Sequence, residues 1–327
     1  MHPVCRFNAC LSCQSFYARF VSRSNLDPVF LVGPTAVGKS EVALLLAMEM
    51  NAEIVSADSV QVYRGMDIGT AKPTKEERSR APHHLIDVVN VCQPFNVAEY
   101  RQLATTAIAQ IQQKSHLPLV VGGSGLYLRA LSEGLFEGPG ADERIRAELE
   151  TQPAEVLFER LRKVDPISAK KIGVENKRRL VRSLEVFEIT GKPMSAQQRE
   201  WDSDSTSGLT MICLERDRAD LYARIERRVE WMFEHGLVDE TEQLLAQGLA
   251  ENPTARVAAG YREVIEMLQG VRSLEETKAR VKTRTRQLAK RQLTWFRHQA
   301  RLRLVRVAES PEQTRERVRE QIENAPG

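Results

Sequence analysis

Val29-Phe30-Leu31-Val32-Gly33-Pro34-Thr35-Ala36-Val37-Gly38-Lys39-Ser40 is the stretch on which the reading of this chain turns. An apolar run, Val29 to Val32, breaks at Gly33. Gly38-Lys39-Ser40 follows, and then Val42 to Met50 has the pattern of a helix. Strand, loop and helix come in that order, and the loop meets G-x-x-x-x-G-K-[ST] at every required place. Glycines let backbone N–H groups turn inward with no Cβ in the way. The following helix presents its positive end, and Lys39 adds a mobile cation. Ser40 can hold a Mg²⁺ ion that bridges phosphate oxygens. Such a loop grips a diphosphate or a triphosphate; the loop alone does not say which.

Outward from the loop, Glu53 to Ser59 reads as a second strand with Asp58 and Ser59 at its carboxyl end, where open α/β sheets hold ligands. Asp58 therefore points toward the same mouth as the loop. It has two readings at this point: a cap or Mg²⁺-water ligand, or a general base within reach of the phosphates. Gln61 to Pro73, with two glycines, reads as an ordered loop, and His83 to Val88 as a further strand. Val97 to Gln113 is helical by pattern, with Leu103, Ala107 and Ile111 on one face. Pro118 to Val121 is a buried strand ending in a second glycine turn, Gly122-Gly123-Ser124-Gly125. The order predicts an α/β fold, a P-loop NTPase-like doubly wound parallel sheet.

From Gly134 the character changes. Gly138-Pro139-Gly140 punctuates a boundary, and charged helices run from Arg144 to about Arg199. Asp202 to Gly208 is a polar linker to a last strand, Leu209 to Leu214, after which everything reads as helical, ending in a long helix from Leu274 to His298. The expected divisions are an unstructured leader (1–27), a P-loop core (28–137), a mostly helical insertion domain (138–203), and a return to the core with a helical, basic C-terminal region (204–327).

Of the 327 residues, 42% are hydrophobic and 28% charged, the composition of an ordinary soluble globular protein. No apolar run approaches the roughly 18 residues a membrane span needs, so no membrane partner is expected. Five cysteines form no even framework, which favours a reducing, cytoplasmic setting. Cys10 and Cys13 are formally C-x-x-C but lack a second ligand pair, and the adjacent His83 and His84 point to opposite sides of a strand; neither pair is expected to bind metal.

A net charge of +3 is modest, so any affinity for nucleic acid depends on where the charge sits. From Lys278 to Arg306 lies a run of lysines and arginines with no acid between Glu276 and Glu309, interleaved with Trp295, Phe296 and His298. A second basic knot is Lys177-Arg178-Arg179-Leu180-Val181-Arg182. A solvated helix face usually alternates its charges; two one-signed surfaces flanking a phosphate-binding core suggest a nucleic-acid clamp. A Walker-B-type acid would end a strand such as Leu117 to Val121, but Gly122-Gly123-Ser124 stands there instead, which weakens an ATPase reading.

Taken together, these residues resemble the tRNA dimethylallyltransferases, also called tRNA isopentenyltransferases. The matching stretches are Gly33 to Ser40, Ser56 to Pro73, His83-His84-Leu85-Ile86-Asp87, Gly122 to Leu128, Arg182 to Phe187, Gly260-Tyr261-Arg262-Glu263 and Ala289 to Arg297, in the family's order. The second and the last are long and specific. Two positions depart from the usual pattern: Ser124 replaces threonine, keeping the hydroxyl, and Ala259-Gly260-Tyr261-Arg262 replaces Ile-Gly-Tyr-Lys. With no cysteine after Cys213, the chain looks like the shorter bacterial form, without a carboxyl-terminal zinc finger.

The resemblance implies transfer of a dimethylallyl group from dimethylallyl diphosphate to N6 of the tRNA adenosine immediately 3′ of the anticodon. Gly33, Pro34, Thr35, Ala36, Val37, Gly38, Lys39 and Ser40 would bind the diphosphate, with Mg²⁺ at Ser40. Asp58 would be the general base, and Arg228 would neutralise charge building on the leaving group. The implied tRNA contacts are Asp58, Ser59, Val60, Gln61, Ser124, Arg146, Arg178, Arg179, Leu180, Val181, Arg182, Val257, Ala258, Ala259, Gly260, Tyr261, Arg262, Lys290, Arg291, Gln292, Trp295 and Arg297. The target base would flip into a channel. A monomer is expected. The alternatives are a P-loop nucleoside or small-molecule kinase, which would consume ATP and need no basic helix, and an RNA-binding module with a vestigial P-loop, against which Lys39 and Ser40 argue.

Overall fold

Alternating apolar side chains on both faces of a strand demand cover on both sides, and this chain supplies it. The computed structural model describes residues 27–134, 138–197, 211–299 and 302–324. All but the last residue of the expected leader, the 202–208 linker and the first two residues of the expected last strand lie outside the described residues. Strands β1 (Val29–Val32), β2 (Ala52–Ala57), β3 (His83–His84), β4 (Leu117–Gly122), β5 (Met211–Glu215) and β6 (Leu302–Arg306) form one sheet in the order β3-β2-β4-β1-β5-β6. Every neighbouring pair is parallel. Phe30, Val32, Val55, Val120 and Cys213 face one apolar layer, and Leu31, Ile54, Leu119, Ile212 and Leu214 the other.

Helix α1 (Lys39–Met50) packs into the second of these layers. After the short α2 (Lys75–Arg80), helices α3 (Val97–Gln113) and α4 (Gly125–Ser132) cover the first. The buried face of α3 is Tyr100, Ala104, Ala107 and Ile111; Leu103, expected on it, is 39% exposed. Tyr100 explains the shift, because its ring stacks on Tyr127 of α4 at 3.9 Å and sets the helix's rotation.

Residues Glu133–Ser207 form a separate compact unit. Within it α5 (Glu143–Thr151), α6 (Ala154–Val164), α7 (Pro166–Ile172) and α8 (Lys177–Thr190) bury Leu149, Leu157, Leu161, Leu180, Val181 and Leu184 together. The rest of the chain from Gly208 belongs to the first unit. Its helices are α9 (Arg218–Glu234), α10 (Leu237–Ala246), α11 (Tyr261–Leu268), α12 (Leu274–Arg297) and α13 (Pro311–Glu323). A capping box, Ser273 with Glu276, starts α12 where the sequence pattern placed it.

Two expectations need correction. The run His83 to Val88 pairs with the sheet only at His83 and His84. Leu85 and Asp87 take positive φ, and Asp87 leaves the strand to bind Lys72 and Arg78. The region after β5 is not all helix: β6 adds an edge strand inside the basic run, with only Val305 of it buried. Arg303 and Arg306 can sit there because an edge strand leaves them a route to water. Among the described residues no helix is long and apolar enough to cross a membrane.

At the amino end of β2, far from the glycine loop, Glu53 is buried and takes hydrogen bonds from His84 (2.7 Å), His116 (2.7 Å) and Lys114 (3.1 Å). Burial alone would raise its pKa, but these three donors overcome that and hold it at about 2, against an ordinary 4.5. A carboxyl depressed in this way stabilises the fold fully above its unfolded pKa and loses the contribution as pH falls toward the folded value. Unfolding midpoints in urea, measured between pH 5 and pH 2, are therefore expected to fall along a slope that flattens in Glu53→Gln.

Candidate functional site

The glycine loop is held in shape by cations as well as by its own turns. Gly33 has φ 147°, and a Cβ there would stand 2.9 Å from the Leu214 carbonyl of β5. Ala36 takes φ 64°, a strained conformation for a residue with a side chain. Its carbonyl accepts from Arg224 Nε of α9 at 3.0 Å, and the Val37 carbonyl accepts from Arg216 Nε at 3.4 Å. Lys39 Nζ donates to the carbonyls of Gly33 (2.9 Å) and Pro34 (2.8 Å). Arg216 and Arg224 carried no sequence signal; only the packing of α9 and β5 beside the loop reveals them.

A cavity of about 620 Å³ opens over this loop, with Lys39, Ser40, Asp58, Arg224, Arg227 and Arg228 in its walls. Burial lowers the Lys39 pKa to about 8, although the Asp58 carboxylate pulls the other way and Arg228 adds to the depression. Burial likewise opposes the charge on Arg228, whose Nη2 rests on the Thr70 carbonyl at 3.1 Å, with Asp58 again the compensating charge. Asp58 is the one carboxylate that acts on these two desolvated cations. With Arg224 and Arg227 set against Glu41 and Glu77 in the same walls, the cavity keeps an excess of positive charge that an anion would fill. Asp58 itself is fixed by an Asx turn, its Oδ1 accepting from the Val60 N–H at 2.9 Å.

A second cavity, about 580 Å³, adjoins the first and shares with it Thr35, Asp58, Thr70, Gly123, Arg228 and Gln292. Its other walls include Tyr127, Val229, Met232 and Trp295. Helix α12 reaches this position because the second glycine turn leaves room. A Cβ on Gly123 would meet Gln292 at 2.5 Å, and one on Gly125 would meet the Trp295 indole at 2.6 Å. Gln292 then bridges the two glycine turns, accepting from the Thr35 N–H (2.8 Å) and donating to the Gly123 carbonyl (3.0 Å).

For Mg²⁺, the available donors are the hydroxyl of Ser40 and the carboxylate of Asp58, both in the first cavity. This hard-oxygen set fits an ion that takes one or two protein oxygens and completes its shell with phosphate and water. Among the described residues no group of three or more His, Cys, Asp or Glu could form a metal cage by itself.

Of the residues expected to meet RNA, Asp58, Ser59, Val60, Ser124, Val257, Ala258, Ala259, Tyr261, Arg291, Gln292 and Trp295 converge on the second cavity. Tyr261 and Gly260 are buried, so they act from within the wall, while Arg262 is exposed and pairs with Glu266. Gln61 points instead into the first cavity, its amide bound to Ser56 and to the Thr70 carbonyl. In the helical unit, the side chains of Leu180 and Val181 are in the core, which leaves only their backbone for contact. Arg146 and Arg182 there are committed to the buried Glu185 at 2.8 and 2.6 Å. Arg178 and Arg179 are exposed and make no ion pair among the described residues.

The one-signed run on α12 also divides. Lys278 and Lys282 pair with Glu230, Arg286 with Glu226 and Arg284 with Glu263, all acids from neighbouring helices. Lys290, Arg291 and Arg297 are exposed and form no ion pair among the described residues.

Residues 61–299 match the IPP transferase family. The chain is 43% identical over 291 residues to a tRNA dimethylallyltransferase of Pelotomaculum thermopropionicum, which covers 88% of this chain and 93% of that protein. It is 48% identical over 284 residues to the tRNA dimethylallyltransferase of Moorella thermoacetica, covering 83% and 87%. Its fold is similar to the crystal structure of a tRNA isopentenylpyrophosphate transferase from Bacillus halodurans, at TM-score 0.68 and 40% identity over 91% of this chain and 96% of that one. A eukaryotic dimethylallyltransferase solved acting on tRNA is similar at TM-score 0.76 and 27% identity, over 91% and 80%.

The depressed Lys39 makes anion binding pH-dependent. Below about pH 8 the free ammonium is charged; above it, binding must first recharge the group. Calorimetric affinity for inorganic diphosphate is expected to weaken as pH rises through about 8, with proton uptake in that range. Lys39→Arg, charged throughout, is expected to flatten this alkaline limb.

Proposed function

This chain belongs to the IPP transferase family, and we propose that it transfers a dimethylallyl group from dimethylallyl diphosphate to the N6 amine of the tRNA adenosine immediately 3′ of the anticodon, releasing diphosphate. One observation carries the proposal: Asp58 and Arg228 line both cavities, one built for an anion and one walled by aromatic and apolar side chains. The diphosphate occupies the first, against Lys39 and the loop from Gly33 to Ser40. The flipped adenine occupies the second, between rings such as Tyr127 and Trp295. The prenyl carbon that changes partners then lies at their shared wall.

In the transfer, a bond forms between N6 and the first prenyl carbon as the bond from that carbon to the diphosphate oxygen breaks. The electron pair leaves with the diphosphate. Asp58 takes the N6 proton, so the attacking amine never carries a full positive charge. Arg228 and Lys39 meet the charge that grows on the leaving oxygen. Ser40 would hold Mg²⁺, which when bound supplies further neutralisation of the diphosphate. Arg178, Arg179, Lys290, Arg291 and Arg297 are the side chains available for tRNA phosphates. Since one chain lines both cavities, a single copy suffices and the proposed active species is a monomer.

A general base can be removed without removing the anion site. Asp58→Asn is expected to lower kcat by about 10²- to 10⁴-fold. Its affinity for inorganic diphosphate should be retained or tightened, because the one carboxylate facing Lys39 and Arg228 is gone. Normal turnover in this variant, or ATP-dependent phosphate transfer by the wild type, would contradict the proposal.

The division of the basic helix gives a second test. Lys290→Ala and Arg291→Ala are each expected to reduce the slope of log Kd against log salt for tRNA by about 1. Lys278→Ala, already neutralised by Glu230, should leave the slope unchanged.

A further inference from the structure

Glu240, on α10, lines neither cavity, yet four donors converge on its carboxylate. Oε2 accepts from the N–H groups of Asp67 (3.0 Å) and Ile68 (2.7 Å), and Oε1 from the Gly69 N–H (3.2 Å) and the Tyr261 hydroxyl (2.6 Å). Three consecutive backbone N–H groups pointing one way make a nest for an anion, and here the anion is a side chain of the same protein. Bonds to an ionised acceptor are the strong ones, so the loop's position follows Glu240 closely.

What the loop carries next is Thr70. Its carbonyl accepts from Arg228 Nη2 at 3.1 Å and from Gln61 Nε2 at 3.3 Å. The loop does not need Glu240 to keep its own shape. Thr70 Oγ1 is bound to the Met66 carbonyl, Ala71 N–H to the Ile68 carbonyl, and buried Lys72 holds Asp67 and Asp87. Glu240 adds the loop's location relative to α10 and α11. Tyr261 completes the link: its buried ring lies so close to Gly69 that a Cβ there would be 2.5 Å away. It also continues the segment, Val257 to Ala259, that lines the second cavity.

We propose that Glu240 is a positioning residue of the transfer reaction: together with the Tyr261 hydroxyl it locates the Asp67–Gly69 backbone so that the Thr70 carbonyl holds the Arg228 guanidinium at the wall shared by the two cavities. This rests on the role given to Arg228 above. It makes the segment beside the base cavity and the cation beside the diphosphate parts of one hydrogen-bonded chain.

Glu240→Gln tests it cleanly, because each oxygen of the carboxylate serves two donors. Either orientation of the amide sets an NH₂ group against two of them. A folded Glu240→Gln protein, checked by its thermal melt, is expected to lose about 10- to 100-fold in kcat, the scale of a small misplacement of a catalytic group, with KM for dimethylallyl diphosphate little changed. Combined with Arg228→Ala, it is expected to cost nothing beyond Arg228→Ala alone. Tyr261→Phe, which removes one donor and keeps the ring, carries the same cycle if Glu240→Gln fails to fold, with a smaller kcat loss that Arg228→Ala again absorbs. Losses that multiply with Arg228→Ala, or a folded Glu240→Gln with wild-type kcat, would overturn the positioning role and leave the role of Arg228 standing. Wild-type kcat in Arg228→Ala would overturn both.

Discussion

Two half-buried, desolvated cations on which one carboxylate acts are the constraint around which this structure is arranged. Lys39 and Arg228 are both desolvated, and Asp58 is the acid that compensates them. A desolvated charge without enough partners is costly, so the fold must hold it there by other means. It does so by giving the cations to carbonyl groups, Lys39 to Gly33 and Pro34, Arg228 to Thr70. Those carbonyls are weaker partners than an anionic oxygen, which is why the proposed diphosphate site would receive an anion.

The same economy of carbonyl contacts explains why loops that look separate in sequence behave as one site. Arg216 and Arg224 tie the glycine loop to β5 and α9, and Gln292 ties it to the second glycine turn. The second turn has glycines for a different reason from the first. Gly123 and Gly125 are bare so that Gln292 and Trp295 can approach, not so that phosphate can. The region that reads as a basic helix thus has two faces, one bound into the core through Gln292 and Phe296 and one left open at Lys290, Arg291 and Arg297.

Acids contributed from elsewhere redefine several of the basic residues. On α12 Lys278, Lys282, Arg284 and Arg286 are paired with Glu226, Glu230 and Glu263, and in the helical unit Glu185 occupies Arg146 and Arg182. A run of like charge in sequence is therefore a poor measure of free positive surface. Among the described residues, those that make no ion pair are a smaller set, and these are the ones the proposal offers to tRNA phosphates.

Local order decided a good deal by itself. Strand, Gly33 to Ser40 and helix follow from neighbouring residues, as do the parallel sheet from its alternating apolar strands, Asp58 at a strand end and the capped start of α12. These were legible because the interactions that cause them span a few residues. The length of β3, the edge strand β6, the exposed face of Leu103, the burial of Leu180 and Val181 and the pairing of the basic residues were not. Nor was Glu240, which has no motif and acts on a loop far back in the chain. Each of these depends on which side chain a distant element brings within hydrogen-bonding or packing range, and only the folded chain sets that distance.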